Sequence, residues 1–294
     1  MKPFTYHAPT TVAEAVEMLD KYQSSCAVVA GGTDVVIELN ERHKTPEHVI
    51  SISKLDELRY VKEEDGMVKI GALTTFTDLE NNPYVKEKLP ALYETAIHVG
   101  SPQIRNLGTI GGNVCNGVTS ADSASTLLTL NAELELTGPD GVRRVKLENF
   151  YRGPGKVDLA HGELLTAIRI AKADYDGFGG HYIKYAQRNA MDIATLGCAV
   201  HVKLTADRSA VEELRLAFGV AAPTPIRCHK AEELARGRKI GPDLFRTVAE
   251  AAAGEVNPRT SWRASKEFRL QLVRELSRRA LKQAIIHAGG AVEC

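Results

Sequence analysis

The segment VVAGGTDVV, residues 28–36, places two glycines directly after an apolar run and follows them with a threonine and an aspartate. Gly31 and Gly32 can simply end a strand, because glycine adopts turn conformations that other residues resist. They can equally leave bare backbone N–H groups for a phosphate-bearing ligand, as glycine-rich loops do. The segment matches neither G-x-G-x-x-G nor a P-loop, so the pair alone leaves both interpretations open.

The surroundings of this segment predict a compact β-α-β-like unit that is complete by about residue 54. Thr11 and Glu14 form a capping-box pattern at the start of an amphipathic helix in TTVAEAVEMLDKY. CAVVA and HVISIS are typical of short buried strands. Between them, TDVVIELNER favours a helix, although its paired valines also allow a strand.

A second glycine pair occurs in TIGGN, residues 109–113, within a glycine-rich and weakly charged stretch from 100 to 125. This stretch is too polar to predict a core helix and too rich in glycine for a regular strand. Two glycine pairs flanked by small polar residues can converge on one extended ligand that carries several phosphates, such as a dinucleotide. Thr33, Thr109 and Asn113 would then supply side-chain hydrogen bonds.

The remaining chain predicts alternating strands and helices, among them a helix in ASTLLTLN, residues 124–131. Two hairpins turn at EDG (64–66) and GPDG (138–141), and FYRGPGKVDL (150–159) has the composition of an exposed loop. A linker at 172–181 is the best domain boundary. Three long strands follow it, and the chain closes with a helix whose apolar stripe runs from Phe268 to Ala284.

Composition excludes several classes of function. The chain has 294 residues, room for about two domains, and equal numbers of basic and acidic residues, 37 each, which disfavours nucleic-acid binding. No segment is apolar enough for a membrane span or a signal peptide, so we expect a cytoplasmic protein. The five cysteines are scattered without metal-ligand spacing, and we expect no metal site in this chain.

Several motifs together resemble the FAD-binding subunits of molybdenum hydroxylases, with the bacterial xanthine dehydrogenase type as the nearest likeness. They are AGGTD, IGALTTFTDLE, QIRNLGTIGGNVCNGVTSADSA, RLAFGVAAPTPIR and WRASKEFR, which span the chain in order. The resemblance implies an α+β fold. Two subdomains, 1–55 and 56–175, would form an FAD-binding fold of the vanillyl-alcohol-oxidase (PCMH) type, and 176–294 would form a C-terminal α/β sandwich of antiparallel sheet and helices.

The resemblance also implies which residues contact FAD. The first loop would wrap the pyrophosphate, and the second would form a wall near the flavin and phosphates. Beside the flavin, Lys184 would stabilise the anionic reduced ring. Three of these residues also have an ordinary structural explanation. Asp122 can be a helix N-cap, Leu165 can be a plain core residue, and Lys184 can be a solvated surface residue. The predicted cofactor-binding residues are Ala27, Val28, Val29, Ala30, Gly31, Gly32, Thr33, Asp34, Thr109, Ile110, Gly111, Gly112, Asn113, Asp122, Leu165 and Lys184.

The function implied by the resemblance is that of an oxidoreductase subunit in purine metabolism with no catalytic side chain of its own, since the flavin carries the chemistry. Electrons would come from a molybdenum-cofactor subunit through a two-iron iron–sulfur subunit, in a heterotrimer or its dimer. They would leave to NAD, which would dock near 150–159. Three alternatives remain: a subunit of a nicotinate, aldehyde or carbon monoxide hydroxylase, a stand-alone flavoenzyme of the same fold, and a non-catalytic module whose glycines are merely turns.

Overall fold

The computed structural model describes residues 1–292 and contains three main sheets, each with its own set of helices. The first sheet is parallel, in the order β1-β3-β2. Its elements are β1 (Thr5–His7), α1 (Val12–Tyr22), β2 (Cys26–Val29), α2 (Val35–Asn40) and β3 (His48–Ser51). The predicted β-α-β unit is confirmed, and β1 is an additional strand that the sequence pattern did not indicate.

The capping box predicted at α1 is only half formed. The Thr11 hydroxyl accepts a hydrogen bond from the Glu14 N–H at 3.1 Å, as predicted. The Glu14 carboxylate, however, accepts from the N–H of Thr10 rather than from that of Thr11. The cap still satisfies two backbone donors at the start of the helix.

The second unit is built on an antiparallel sheet in the order β4-β5-β10-β6-β7, with a separate two-stranded hairpin β8-β9. Both predicted hairpins are confirmed, and the first turns at Asp65-Gly66 with positive φ at both residues. The elements are β4 (Val61–Glu64), β5 (Met67–Gly71), α3 (Phe76–Asn81), α4 (Pro83–Lys88), α5 (Pro90–His98), α6 (Pro102–Leu107), α7 (Ile110–Cys115), α8 (Asp122–Thr129), β6 (Glu133–Gly138), β7 (Gly141–Lys146), β8 (Tyr151–Gly153), β9 (Lys156–Val157) and β10 (Leu164–Ala171).

Two expectations about this unit are wrong. The polar, glycine-rich stretch 100–125 predicts no core helix, yet it forms α6, α7 and the first residues of α8, the helix that ASTLLTLN predicts. Its polar side chains bond to one another, since the Ser123 hydroxyl donates to the side-chain carbonyl oxygen of Asn113 at 2.6 Å. The segment 150–159 was expected to be an exposed loop. It forms the β8-β9 hairpin instead, because Phe150 and Tyr151 are buried against the core.

The third unit is an antiparallel sheet, β11-β12-β13-β14, covered on one face by long helices. This arrangement confirms the predicted C-terminal sheet with helices and the overall α+β class. Its other face packs against α5 and α8 of the second unit, so the strand β11 lies beside the start of α8. The elements are β11 (Gly179–Tyr185), β12 (Leu196–Leu204), β13 (Val211–Gly219), β14 (Ile226–Arg227), α9 (His229–Ala235), α10 (Pro242–Glu255) and α11 (Lys266–His287).

No helix within residues 1–292 is long and apolar enough to cross a lipid bilayer.

The three sheets lie in the three segments that the sequence predicts as subdomains, and we propose the boundaries 1–55, 56–175 and 176–294 on that basis.

Candidate functional site

A cavity of about 540 Å³ opens where the three units meet, a size within the usual range for small-molecule sites. Of the sixteen residues predicted to bind the cofactor, thirteen line it, and Ala27, Val29 and Ile110 do not. Ala27 and Val29 alternate along β2 with Val28 and Ala30, which face the cavity, whereas the Ile110 side chain is fully buried in the core of the second unit. The thirteen are Val28, Ala30, Gly31, Gly32, Thr33, Asp34, Thr109, Gly111, Gly112, Asn113, Asp122, Leu165 and Lys184.

The first glycine loop presents free hydrogen-bond donors to the cavity. The backbone N–H groups of Gly31, Gly32, Thr33 and Asp34 donate to no acceptor within residues 1–292. They follow the end of β2 and precede the first turn of α2, so four successive amides share one concave wall. Such a run of amides is suited to the oxygens of a phosphate group.

The second glycine pair differs from the first, because its amides are already used. The N–H of Gly111 donates to the carbonyl of Ala72 at 2.9 Å, and the N–H of Gly112 donates to the Thr109 hydroxyl at 3.1 Å. This pair forms the first turn of α7, with Thr109 as its N-cap. The polar groups of this loop that face the cavity are therefore the Thr109 and Asn113 side chains rather than the glycine amides. The side-chain carbonyl oxygen of Asn113 accepts from the hydroxyl of Ser123 at 2.6 Å.

Three of the four glycines are required by the packing of the chain itself. A Cβ on Gly31 would lie 1.8 Å from the carbonyl oxygen of Leu107, and one on Gly111 would lie 2.6 Å from that of Ala72. Gly32 has φ +74°, a conformation that L-residues adopt at a cost. At Gly112 a Cβ would meet only the Thr109 hydroxyl, at 2.9 Å. The two loops are thus in direct contact, which places both on one cavity.

Lys184 and Asp122 form a buried ion pair on the cavity wall, with Nζ 2.8 Å from Oδ2. Lys184 also donates to the carbonyl of His98 at 3.0 Å. The other carboxylate oxygen of Asp122 accepts from the Tyr182 hydroxyl at 2.8 Å. Burial raises the pKa of Asp122, and the Lys184 ammonium and the Tyr182 hydroxyl oppose that rise. Asp122 is also the first residue of α8, but its side chain makes no N-cap hydrogen bond.

Sequence reasoning missed Tyr182 as a member of this group. It lies two residues before Lys184 on β11, so the alternation of strand side chains puts both on the face that meets α8. That spacing was the available signal. The loop after β11 also reaches the cavity, through Asp192 and Ile193, and Leu159 reaches it from the segment expected to face the flavin.

A larger cavity, about 910 Å³, lies in the third unit between α10 and α11. Five cationic side chains surround it, and none of the sixteen predicted residues does. We place the cofactor site at the smaller cavity, because free amides and a buried cation converge there. The cationic residues are Arg208, Arg246, Arg278, Arg279 and Lys282.

The lining of the smaller cavity combines groups suited to phosphate with groups suited to a polar ring system. Its free amides suit phosphate oxygens, and its buried ammonium can donate to a ring atom. Ala72, Leu73 and Phe76 add apolar surface to the lining. This combination suits a ligand such as a flavin dinucleotide.

Two family models match nearly the whole chain. The FAD binding domain in molybdopterin dehydrogenase matches residues 2–173, and the CO dehydrogenase flavoprotein C-terminal domain matches residues 181–284.

Individual relatives agree with these models. The chain is 44% identical to the xanthine dehydrogenase FAD-binding subunit of Escherichia coli, with 98% of each chain covered, and 39% identical to the nicotinate dehydrogenase FAD-subunit of Eubacterium barkeri, with 82% of each covered. The structure also superposes on a chain of the carbon monoxide dehydrogenase of Hydrogenophaga pseudoflava, which was solved without the Mo-pyranopterin moiety of its cofactor. The TM-score is 0.92 at 33% identity, and the superposition covers 98% of this chain and 99% of that one. The resemblance predicted from the motifs, its fold and its cofactor FAD are confirmed.

Proposed function

The chain belongs to the FAD-binding subunits of the molybdenum hydroxylases, and on that premise we propose that it is the electron-transfer subunit of a xanthine dehydrogenase-type complex. FAD, when bound, supplies the exchange of electrons with an iron–sulfur partner and of hydride with NAD. The partners in this proposal are a molybdenum-cofactor subunit and a two-iron iron–sulfur subunit, assembled as a heterotrimer or its dimer. The hydroxylated substrate class is a purine.

The observation that carries the proposal is the wall of four free amides in residues 31–34, facing a cavity that Lys184 also lines. We propose that these amides hold the pyrophosphate of FAD. Because the amides are fixed by the contact between the two glycine loops, they are in place before the ligand arrives.

Asp122 and the carbonyl of His98 hold Lys184 in position at the cavity wall, and Tyr182 in turn holds Asp122. These two bonds leave the ammonium one N–H that can donate to an acceptor atom of a ring lying against it. Ala72, Leu73 and Phe76 contribute apolar surface to the cavity. No side chain needs to act as nucleophile or as general acid or base.

Similarity supports the xanthine type over the alternatives. Identity to the xanthine dehydrogenase subunit exceeds that to the nicotinate dehydrogenase subunit and extends over more of the chain.

A cytoplasmic location is also part of the proposal. The four described cysteines are free thiols, which accords with a reducing compartment; they are Cys26, Cys115, Cys198 and Cys228.

The test is purification of the native complex from its host, followed by turnover with xanthine, nicotinate and an aldehyde, each with NAD and with an artificial dye as acceptor. We expect one FAD per copy of this chain and xanthine-dependent formation of NADH. Turnover of xanthine with the dye but never with NAD would refute the acceptor. Preference for another substrate would refute the purine assignment, and a lone chain with full turnover would refute the partnership.

A further inference from the structure

Three side chains from distant parts of the sequence meet at the junction of the second and third units. Glu94 lies on α5, His181 on β11 and His287 at the end of α11. One ligand-capable atom of each lies within 4.8 Å of the others. None of the three lines the cofactor cavity, and the proposed function uses none of them.

Glu94 and His181 are already oriented toward each other. Nδ1 of His181 lies 3.0 Å from one carboxylate oxygen of Glu94 and 2.9 Å from the other. The second oxygen also accepts the N–H of Tyr182 at 2.8 Å, so the carboxylate covers the open edge of β11. Both side chains are about one-fifth exposed, at 21% each, and can be reached from solvent.

A hydrogen bond to a backbone carbonyl fixes the orientation of the His287 ring. Nδ1 lies 2.7 Å from the carbonyl oxygen of Gly180, and a carbonyl can only accept, so Nδ1 carries the hydrogen. Nε2 therefore keeps its lone pair, which now accepts from the side-chain amide of Gln283 at 2.9 Å. A histidine whose Nδ1–H donates to a backbone carbonyl is in the form that binds metal through Nε2.

We propose that Glu94, His181 and His287 form a binding site for a divalent transition metal of the Zn²⁺ type. Two imidazoles and one carboxylate are a ligand set that zinc uses, with water in the fourth position. Ligand atoms around tetrahedral zinc lie roughly 3.3 Å apart, so the three side chains must move closer together to close the site. The metal would tie α5 of the second unit to β11 and α11 of the third. It takes no part in the proposed electron transfer, and its water position distinguishes it from zinc sites closed by four protein ligands.

The test uses the full, untagged, FAD-loaded chain, stripped of metal with a chelator and then titrated with Zn²⁺ alone. We expect about one zinc per chain, a rise in melting temperature on addition of zinc, and an X-ray absorption spectrum with nitrogen and oxygen ligands at about 2.0–2.1 Å. His287→Ala and Glu94→Gln should each weaken zinc binding at least about tenfold and abolish the rise in melting temperature. The exposed His161→Ala serves as the matched control and should bind zinc as the unaltered chain does.

Glu94→Gln keeps an acceptor for the Tyr182 N–H, so it tests the ligand without removing the edge contact. Zinc affinity in both variants equal to that of His161→Ala would overturn the proposal. Sulfur ligands at about 2.3 Å, which would place the metal on cysteines, would overturn it as well.

Discussion

The ammonium of Lys184 on β11 lies 2.8 Å from a carboxylate oxygen of Asp122 at the start of α8, and the two side chains are only 7% and 9% exposed. This ion pair joins the third unit to the second at the wall of the cofactor cavity. Both charges are out of water, so each depends on the other for compensation. The pair therefore connects the stability of the domain contact with the charge that lines the proposed cofactor site.

Lys184→Met should destabilise the chain strongly, because it leaves the Asp122 carboxylate buried without a cation. We expect the free energy of unfolding to fall by about 3–5 kcal/mol, measured by urea denaturation of the flavin-free chain. Adding Asp122→Asn should restore part of the loss. The exposed Lys146→Met is the matched control, and an equal cost for both single variants would show that the buried pair contributes nothing.

Tyr182→Phe should have a smaller effect than Lys184→Met, since it removes one donor to Asp122 and leaves the cation. Loss of a hydrogen bond to a charged acceptor costs about 1.5–3 kcal/mol of unfolding free energy. Tyr185→Phe, on the same strand but half-exposed, is the control, and no loss is expected there. If both tyrosine variants unfold at the same urea concentration, Tyr182 does not position the pair.

Gly31→Ala should prevent correct packing of the two glycine loops, because the new Cβ would lie 1.8 Å from the Leu107 carbonyl oxygen. We expect loss of folded protein and of flavin together. Gly112→Ala should still fold but lose about 1 kcal/mol of stability, since the Thr109 hydroxyl that it meets can rotate away only by giving up its N-cap bond. Gly254→Ala, in open space within α10, should raise the free energy of unfolding by about 0.5–1 kcal/mol. Normal yield and stability of Gly31→Ala would show that the loop contact tolerates a methyl group.

The burial of His201 makes the free energy of unfolding fall as the pH falls. This side chain is buried against the Thr129 hydroxyl, and burial, with the charges of Arg215 and Arg227, lowers its pKa from 6.5 to about 3. Between those values the unfolded chain binds a proton that the folded chain excludes, so stability falls as the pH falls, by about 1.4 kcal/mol per pH unit. From pH 7 to pH 5 this amounts to about 2 kcal/mol.

Urea denaturation at both pH values checks this, with His201→Gln compared with the exposed His161→Gln. The loss between pH 7 and pH 5 should shrink by about 2 kcal/mol in His201→Gln and stay unchanged in the control. Equal losses in the two variants would mean that His201 is protonated in the folded state.

Much of the fold could be predicted from local patterns, because strands β2 and β3, both hairpins and α11 carry clear alternation, turn or helical signals. The helices α6 and α7 could not, because their stretch is polar and rich in glycine, and Ile110 and Val114 of α7 become buried only in the assembled core. The sequence predicts thirteen of the residues that line the cavity but not the difference between the two glycine pairs. The two glycine pairs look alike in sequence, yet only the first keeps its amides free, because the second meets the carbonyl of Ala72, thirty-nine residues earlier in the chain.

Asn113→Asp should separate cofactor binding from folding. The Asn113 carbonyl oxygen accepts from the Ser123 hydroxyl, and an aspartate of the same shape retains that bond, so the flavin-free chain should melt as before. The new carboxylate would face the cavity near the proposed phosphates, and like charges close together in a site of low dielectric repel strongly. We expect the dissociation constant of FAD, measured by fluorescence quenching, to rise at least about tenfold, which corresponds to about 1.4 kcal/mol. The exposed Asn81→Asp is the control for the added charge. Unchanged FAD affinity in Asn113→Asp would place the phosphates away from the second glycine loop and leave the first loop as their only cradle.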